Sequence, residues 1–111
     1  MRVLNKDGSS YEIQEDEILY FSNHKNTIFV HSKEGEFLLP TTLSDLYAAY
    51  QCKGFERLDR SNVANIDNIT DYDQDRKVVF FGSKQVFTTV SESNEPRIKK
   101  YLAGTKKSVT P

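Results

Sequence analysis

Apolar residues fall along this chain in short β-prone runs, divided by polar clusters that hold Gly, Asp, Asn or Pro. Residues 2–13, RVLNKDGSSYEI, set two such runs around Lys6-Asp7-Gly8-Ser9 and predict a hairpin with Asp-Gly as its turn signal. QEDEI follows as a polar turn or a single helical turn. ILYFSN (18–23) and TIFVHS (27–32) predict strands joined through His24, Lys25 and Asn26. After the turn KEGE (33–36), FLLP (37–40) predicts a third strand, stopped by Pro40. The period then changes. In TTLSDLYAAYQC (41–52), Leu43, Leu46, Tyr47 and Tyr50 share one helical face, Thr41 or Thr42 serves as cap and Gly54 as stop. KVVFFG (77–82) and QVFTTV (85–90) predict a second hairpin, turning at Gly82 and Ser83. Asn94 as cap, Pro96 in the first turn and Gly104 as stop predict a short C-terminal helix.

One stretch obeys neither period. GFERLDRSNVANI (54–66) spaces Phe55, Leu58, Val63 and Ile66 irregularly, and Asp59 to Asn62 have nothing to bury. An irregular polar loop on a firm frame is expected there. Many short strands with one mid-chain helix imply a mostly-β domain, and function is expected on its loops at 22–27, 59–65 and 91–97. Residues 1–104 read as a single domain and 105–111 as a flexible tail.

Charge adds asymmetry rather than a global field. The net charge is −1, which announces no nucleic-acid partner by itself. Yet Glu12, Glu15, Asp16 and Glu17 lie early, whereas Arg97, Lys99, Lys100, Lys106 and Lys107 close the chain with no acidic side chain among them. Such a chain can present one basic face. The single cysteine, Cys52, excludes an internal disulfide and suits a reducing compartment; its apolar neighbours read as those of a small hydrophobe on a helix. With no signal-peptide run and no apolar span, a cytoplasmic protein with no membrane partner is expected.

Catalytic and metal chemistry find little footing. Asp71, Asp73 and Asp75 imitate the start of a calcium loop, but Arg76 stands where glycine is needed and Gly82 where the closing glutamate is needed. A solvated turn is the better reading. His24 and His31 lack ligand-spaced companions, and His31, near a strand end, reads as a surface residue. No glycine-rich phosphate loop exists, and no base or acid lies sequence-close to a serine. A non-enzyme with no cofactor and no metal is expected.

Recognition chemistry is better represented. Arg60 offers a planar fork for guanine or phosphate, and Asn62 or Asn65 could read an adenine edge. Alternatively Arg60 pairs with Asp59, and the asparagines satisfy backbone groups. Lys25, Asn26 and Thr27 form an ordinary turn or a basic finger; Arg97, Lys99 and Lys100 form a solvated helix face or phosphate contacts. The residues alone leave these alternatives open.

The order of features resembles the LytTR family, the DNA-binding domains of AlgR/AgrA/LytR-type bacterial transcription regulators. EDEILYFSNHKNTIFVHSKEGEF is similar to the family's opening strand–turn–strand, and LPTTLSDLYAAY to its short helix. FERLDRSNVANIDNI resembles its Phe-x-Arg-Ile/Val-His-Arg-Ser-Tyr-Ile-Val-Asn segment, with Phe55, Arg57, Leu58, Arg60, Ser61, Val63 and Asn65 in place. VVFFGSKQVFTTVS follows the closing hairpin; the likeness spans roughly residues 10–103. It implies an elongated, mostly-β fold of antiparallel sheets that binds double-stranded DNA with loops in successive major grooves. Carried over by position, the contacts are Lys25, Asn26 and Thr27, then Arg60, then Ser91 to Asn94; the DNA-binding set expected here is these with Ser61, Asn62, Ser93, Arg97, Lys99 and Lys100. A dimer on DNA and a receiver domain or second regulator are the implied partners. Asp59 stands at the family's histidine, Asn62 at its aromatic, and Ser91-Glu92 at its Ser-Arg. These departures frame the rival expectation, a protein-interaction module or antagonist that has lost DNA contact.

Overall fold

Alternation in the first forty residues builds the larger of two sheets. The computed structural model describes residues 1–105 and 108–110; Lys106, Lys107 and Pro111 lie outside the described residues. Strands β1 (Arg2–Leu4) and β2 (Ser10–Glu12) form the expected hairpin, with Gly8 at φ 92° where an L side chain is disfavoured. Strands β3 (Ile18–His24), β4 (Thr27–Ser32) and β5 (Gly35–Leu39) continue it, and β5 ends before Pro40. Strands β6 (Phe55–Asp59) and β7 (Asn62–Asn65) complete the order β2-β1-β5-β4-β3-β7-β6.

A smaller sheet comprises β8 (Asp71–Asp73), β9 (Val78–Phe80), β10 (Phe87–Thr89) and β11 (Ser108–Thr110), in the order β10-β9-β8-β11. The last pair is parallel; every other pairing is antiparallel. Residues 108–110 were expected in a flexible tail, and instead they add a strand beside β8.

Two cores flank the centre of the larger sheet. A register shift in β3 between Ile18 and Tyr20 sends Ile18 and Phe21 to one side and Leu19 and Tyr20 to the other. On the first side, helix α1 (Leu43–Tyr50) lays Leu43 and Leu46 onto Phe21, Val30, Phe37 and Val63. Its cap is Thr42, whose hydroxyl accepts from the Asp45 amide at 3.1 Å. On the other, helix α2 (Glu95–Thr105) seals Leu58, Ile69, Tyr72 and Val79 with Ile98 and Leu102. Glu95 fastens the start of α2, receiving Lys77 at 2.7 Å and Lys99 at 2.9 Å. The molecule measures 41 × 25 × 23 Å, the elongated shape expected.

The stretch expected as an irregular loop is a hairpin. β6 and β7 pair antiparallel through Phe55↔Asn65, Glu56↔Ala64 and Asp59↔Asn62, leaving Arg60 and Ser61 as a two-residue turn. Between Glu56 and Asp59 the β6 strand carries one residue more than β7. The period was unreadable because both faces of β6 are covered, with Phe55 in the first core and Leu58 in the second.

Two smaller expectations also fail. Cys52 is exposed on a 3-10 turn (Gln51–Lys53) that overwinds the end of α1, not a small hydrophobe on the helix. The Asn94 side chain does not cap α2, because Arg97 Nη2 takes its Oδ1 at 2.6 Å.

Candidate functional site

Antiparallel pairing of β3 with β7 brings two turns to one edge of the larger sheet. Ser22 faces Asn62 in this pairing, and the Asn23 amide donates to the Ser61 carbonyl at 3.0 Å. The β3–β4 turn therefore lies beside the β6–β7 turn, about two strand spacings or roughly 10 Å from centre to centre. The segment after β10 is fastened to β6 behind the second turn: the Ser91 amide donates to the Leu58 carbonyl at 2.8 Å, and Asn94 Nδ2 to the same oxygen at 3.1 Å. Of the three loops singled out in the sequence, the first lies beside the second and the third is bonded to the strand that carries the second.

At the first tip His24 pairs with Thr27, so the turn is Lys25 and Asn26 alone. Both are left-handed, at φ 50° and 65°, as this hairpin geometry demands. Asparagine tolerates that region; for lysine it costs about 1 kcal/mol. Lys25, Asn26 and Thr27 are all exposed, and no ion pair holds the Lys25 ammonium among the described residues.

The second tip presents Arg60 and Ser61, both exposed. Of the alternatives read from the sequence, the side-chain pairing of Arg60 with Asp59 does not occur: it is the Arg60 amide that donates to Asp59 Oδ1, at 2.8 Å. Among the described residues the guanidinium has no hydrogen-bond or ion-pair partner, and the residue is exposed. Arg57 supports the turn from beneath, donating from Nη2 to the Arg60 carbonyl at 3.2 Å.

Asn62 is the main correction. It was expected to read a base edge, and it is completely buried. Its Oδ1 accepts from the Leu58 and Asp59 amides at 3.2 and 3.0 Å, filling the β6 bulge. Its Nδ2 donates to Thr88 Oγ1 at 2.7 Å and the Thr89 carbonyl at 2.8 Å. Asn65 is also buried and donates to the Ile18 carbonyl. Both asparagines satisfy neighbours instead of meeting a ligand.

The third loop divides. Ser91 and Ser93 share a 3.2 Å hydroxyl contact, and Ser93 is exposed. Asn94 is committed at both ends of its amide, to Leu58 and Ser91 on one side and Arg97 on the other. Arg97 is likewise engaged, with Glu56 at 3.0 Å and the Arg57 carbonyl at 3.1 Å, so it does not stand free for phosphate. Lys99 pairs with Glu95; Lys100 is exposed and unpaired among the described residues. The expected set thus sorts into outward groups, Lys25, Asn26, Thr27, Arg60, Ser61, Ser93 and Lys100, and groups that hold the loops in place.

Sequence reading missed Thr88, Thr89 and Glu56 altogether, because their roles depend on partners 26 to 41 positions away. It also missed a polar line across three strands. Ser22 Oγ lies 2.8 Å from His31 Nε2, and His31 Nδ1 lies 3.4 Å from Glu36 Oε2. His31 is not the surface residue expected: it is largely buried and stacks on Tyr20 at 4.1 Å. Burial holds its pKa below the ordinary value, against the opposing pull of Glu36. The line lies on a pleated face whose strand amides serve inter-strand pairing, so it offers no oxyanion site.

Among the described residues no group of three or more His, Cys, Asp or Glu is arranged to hold a metal. Of the Asp71–Asp75 run, Asp71 and Asp73 lie in strand β8 and Asp75 in the turn after it, where Asp73 Oδ1 accepts from the Asp75 and Arg76 amides. No helix among the described residues is long and apolar enough to cross a membrane.

Comparison with known proteins bears on the family and the fold. Residues 8–103 match the family model described as the LytTr DNA-binding domain. One similar solved structure is the LytTr DNA-binding domain of a protein described as a methyl-accepting/DNA response regulator from Bacillus cereus. It superposes with a TM-score of 0.74 at 17% identity, over 92% of this chain and 94% of that one, a likeness of fold. No curated protein sequence matches the chain.

Proposed function

Starting from a chain that belongs to the LytTR family of DNA-binding domains, a family of transcription regulators, we propose that this one reads DNA sequence through the three loops at its sheet edge. The supporting observation is how the loops are placed. The exposed Arg60 fork stands on a two-residue turn, flanked by the Lys25-Asn26 tip and the Ser91–Asn94 segment. A turn on two paired strands projects from the sheet, and the roughly 12 Å width of the major groove admits such a ribbon. Arg60 is assigned to a guanine edge, where its planar fork binds bidentately. Lys25 and Lys100 are assigned to phosphates, with Asn26, Thr27, Ser61 and Ser93 as neutral contacts. A near-neutral protein can act this way because ion pairs such as Arg97–Glu56 and Lys99–Glu95 are internal and leave the unpaired cations facing out.

Asp59 fits this reading. Its carboxylate is engaged by the Arg60 amide and by Thr89 Oγ1, at 2.8 and 2.6 Å. The acid is thus part of the turn's scaffold, with its charge partly satisfied before a phosphate arrives. Binding as a dimer, under control of a receiver domain or a second regulator, completes the proposal.

The test is a titration of random-sequence duplex DNA at rising salt, followed by selection of the bound sequences, with Arg60→Ala in parallel. Binding that weakens steeply with salt reports phosphate contacts. Arg60→Ala is expected to cost about 1–3 kcal/mol on the selected sequence and little on the unselected pool. Equal weakening on both pools moves Arg60 to the backbone. No binding at low salt by the folded protein overturns the reading in favour of a protein-interaction module.

A further inference from the structure

Three polar links tie the Arg60-Ser61 turn to β10, although β10 belongs to the other sheet. Thr89 Oγ1 donates to Asp59 Oδ2 at 2.6 Å. Asn62 Nδ2 donates to Thr88 Oγ1 at 2.7 Å and to the Thr89 carbonyl at 2.8 Å. Asp59 and Asn62 are the two residues that bracket the turn, and they also face each other in the β6–β7 pairing. Each has a second duty toward the turn: Asp59 Oδ1 holds the Arg60 amide, and Asn62 Oδ1 holds the Leu58 and Asp59 amides. β10 leads directly into Ser91, whose amide is bound to Leu58.

From this we infer that Thr89, acting through Asp59, is a positioning residue for Arg60. The Asp59–Thr89 clasp makes the Arg60 turn and the Ser91–Asn94 loop one preset unit, so the backbone from which the Arg60 side chain projects is fixed before DNA arrives. The inference rests on the proposed DNA-reading role of Arg60. It is physically economical, since a turn that needs no ordering on contact loses less entropy when it binds. It also separates two roles within the clasp. Asn62 is buried, and its removal damages the fold itself; Thr89 is exposed, and its hydroxyl reaches the turn only through Asp59.

Thr89→Val removes the hydroxyl and keeps the β-branched shape that suits a strand. The experiment compares wild type, Thr89→Val, Thr89→Ser, Arg60→Ala and the Arg60→Ala/Thr89→Val double variant. Each is titrated with duplexes selected by the wild type and with the unselected random pool, over a range of salt. Thr89→Val is expected to lose on the order of five-fold in preference for the selected duplexes, the effect of one weakened hydrogen bond. Its salt slope stays that of wild type, because no phosphate contact is lost. Thr89→Ser restores the preference. In the Arg60→Ala background Thr89→Val adds nothing, which is the non-additivity expected of residues acting as a unit.

A preference equal to wild type in Thr89→Val overturns the inference while leaving the DNA-reading role intact. So does a loss that persists without Arg60. A folded wild-type protein with no salt-dependent DNA binding overturns both, and the two failures are thereby told apart.

Discussion

Asn62 Nδ2 donates to Thr88 Oγ1 at 2.7 Å, and both residues are buried between the two sheets. The same amide satisfies the two strand amides of the β6 bulge through its oxygen. A buried amide with every atom engaged is worth most when removed, because its former partners are left without water. Asn62→Ala is expected to destabilise the protein by about 3 kcal/mol. Denaturant unfolding checks this as a lower midpoint at unchanged slope; a loss under about 0.5 kcal/mol, the usual range for surface substitutions, contradicts the assignment.

Lys25 keeps a left-handed backbone at φ 50°. Asparagine is the better residue at that first turn position, so Lys25→Asn is expected to raise stability by about 0.5–1 kcal/mol. It also removes a cation from the tip. The variant should therefore be more stable and bind DNA more weakly, with a salt slope reduced by about 0.9. Parallel thermal unfolding and salt titration check the two halves; a variant that gains stability and binds DNA unchanged removes Lys25 from the interface.

Glu95 receives Lys77, Lys99 and the Tyr72 hydroxyl, and these hydrogen bonds hold its pKa down from 4.5 to about 2. The sign follows from proton uptake: between these two values the unfolded chain binds the proton and the folded chain does not. The stabilisation is complete above the unfolded value and is lost as pH falls through the folded one. Glu95→Gln should flatten that acid limb and leave a protein less stable at neutral pH. Unfolding midpoints measured from neutral to strongly acidic pH check it, and an unchanged acid limb would remove Glu95 as its source.

His31 acts in a separate, higher window. Burial against Tyr20 depresses its pKa from 6.5, opposed by Glu36, with Ser22 on the other ring nitrogen. Below the ordinary value the unfolded chain takes up a proton that the folded chain resists, so stability falls as pH drops toward the lowered value. His31→Gln is expected to lose that slope while Glu95's remains. Equilibrium unfolding from about pH 7 to about pH 5 distinguishes the two, since a carboxylate near its usual range contributes little there.

The hairpins at 2–13, 18–32 and 77–90 and the helix at 43–50 were legible because their signals are local. Asp7-Gly8, Pro40, Thr42 and Gly54 act through their own backbone or a neighbour three residues away, and the apolar period of each run names its buried face. The family's order of motifs was legible for the same reason. What no local pattern could separate was outward from inward polar residues. Asn62 and Ser61 are neighbours of similar polarity, yet one is completely buried and the other exposed. The difference comes from place and partners: Ser61 lies in the turn, whereas Asn62 opens β7, where the amides of the β6 bulge and Thr88 of β10, 26 positions later, take up its side chain. Arg97 and Lys100 diverge likewise: each is a cation on α2, but only Arg97 lies against Glu56 of β6. Sequence determined which residues could bear a charge or a hydrogen bond. Tertiary structure decided which of them still had one to offer, because a polar group already satisfied within the fold gains little from a ligand.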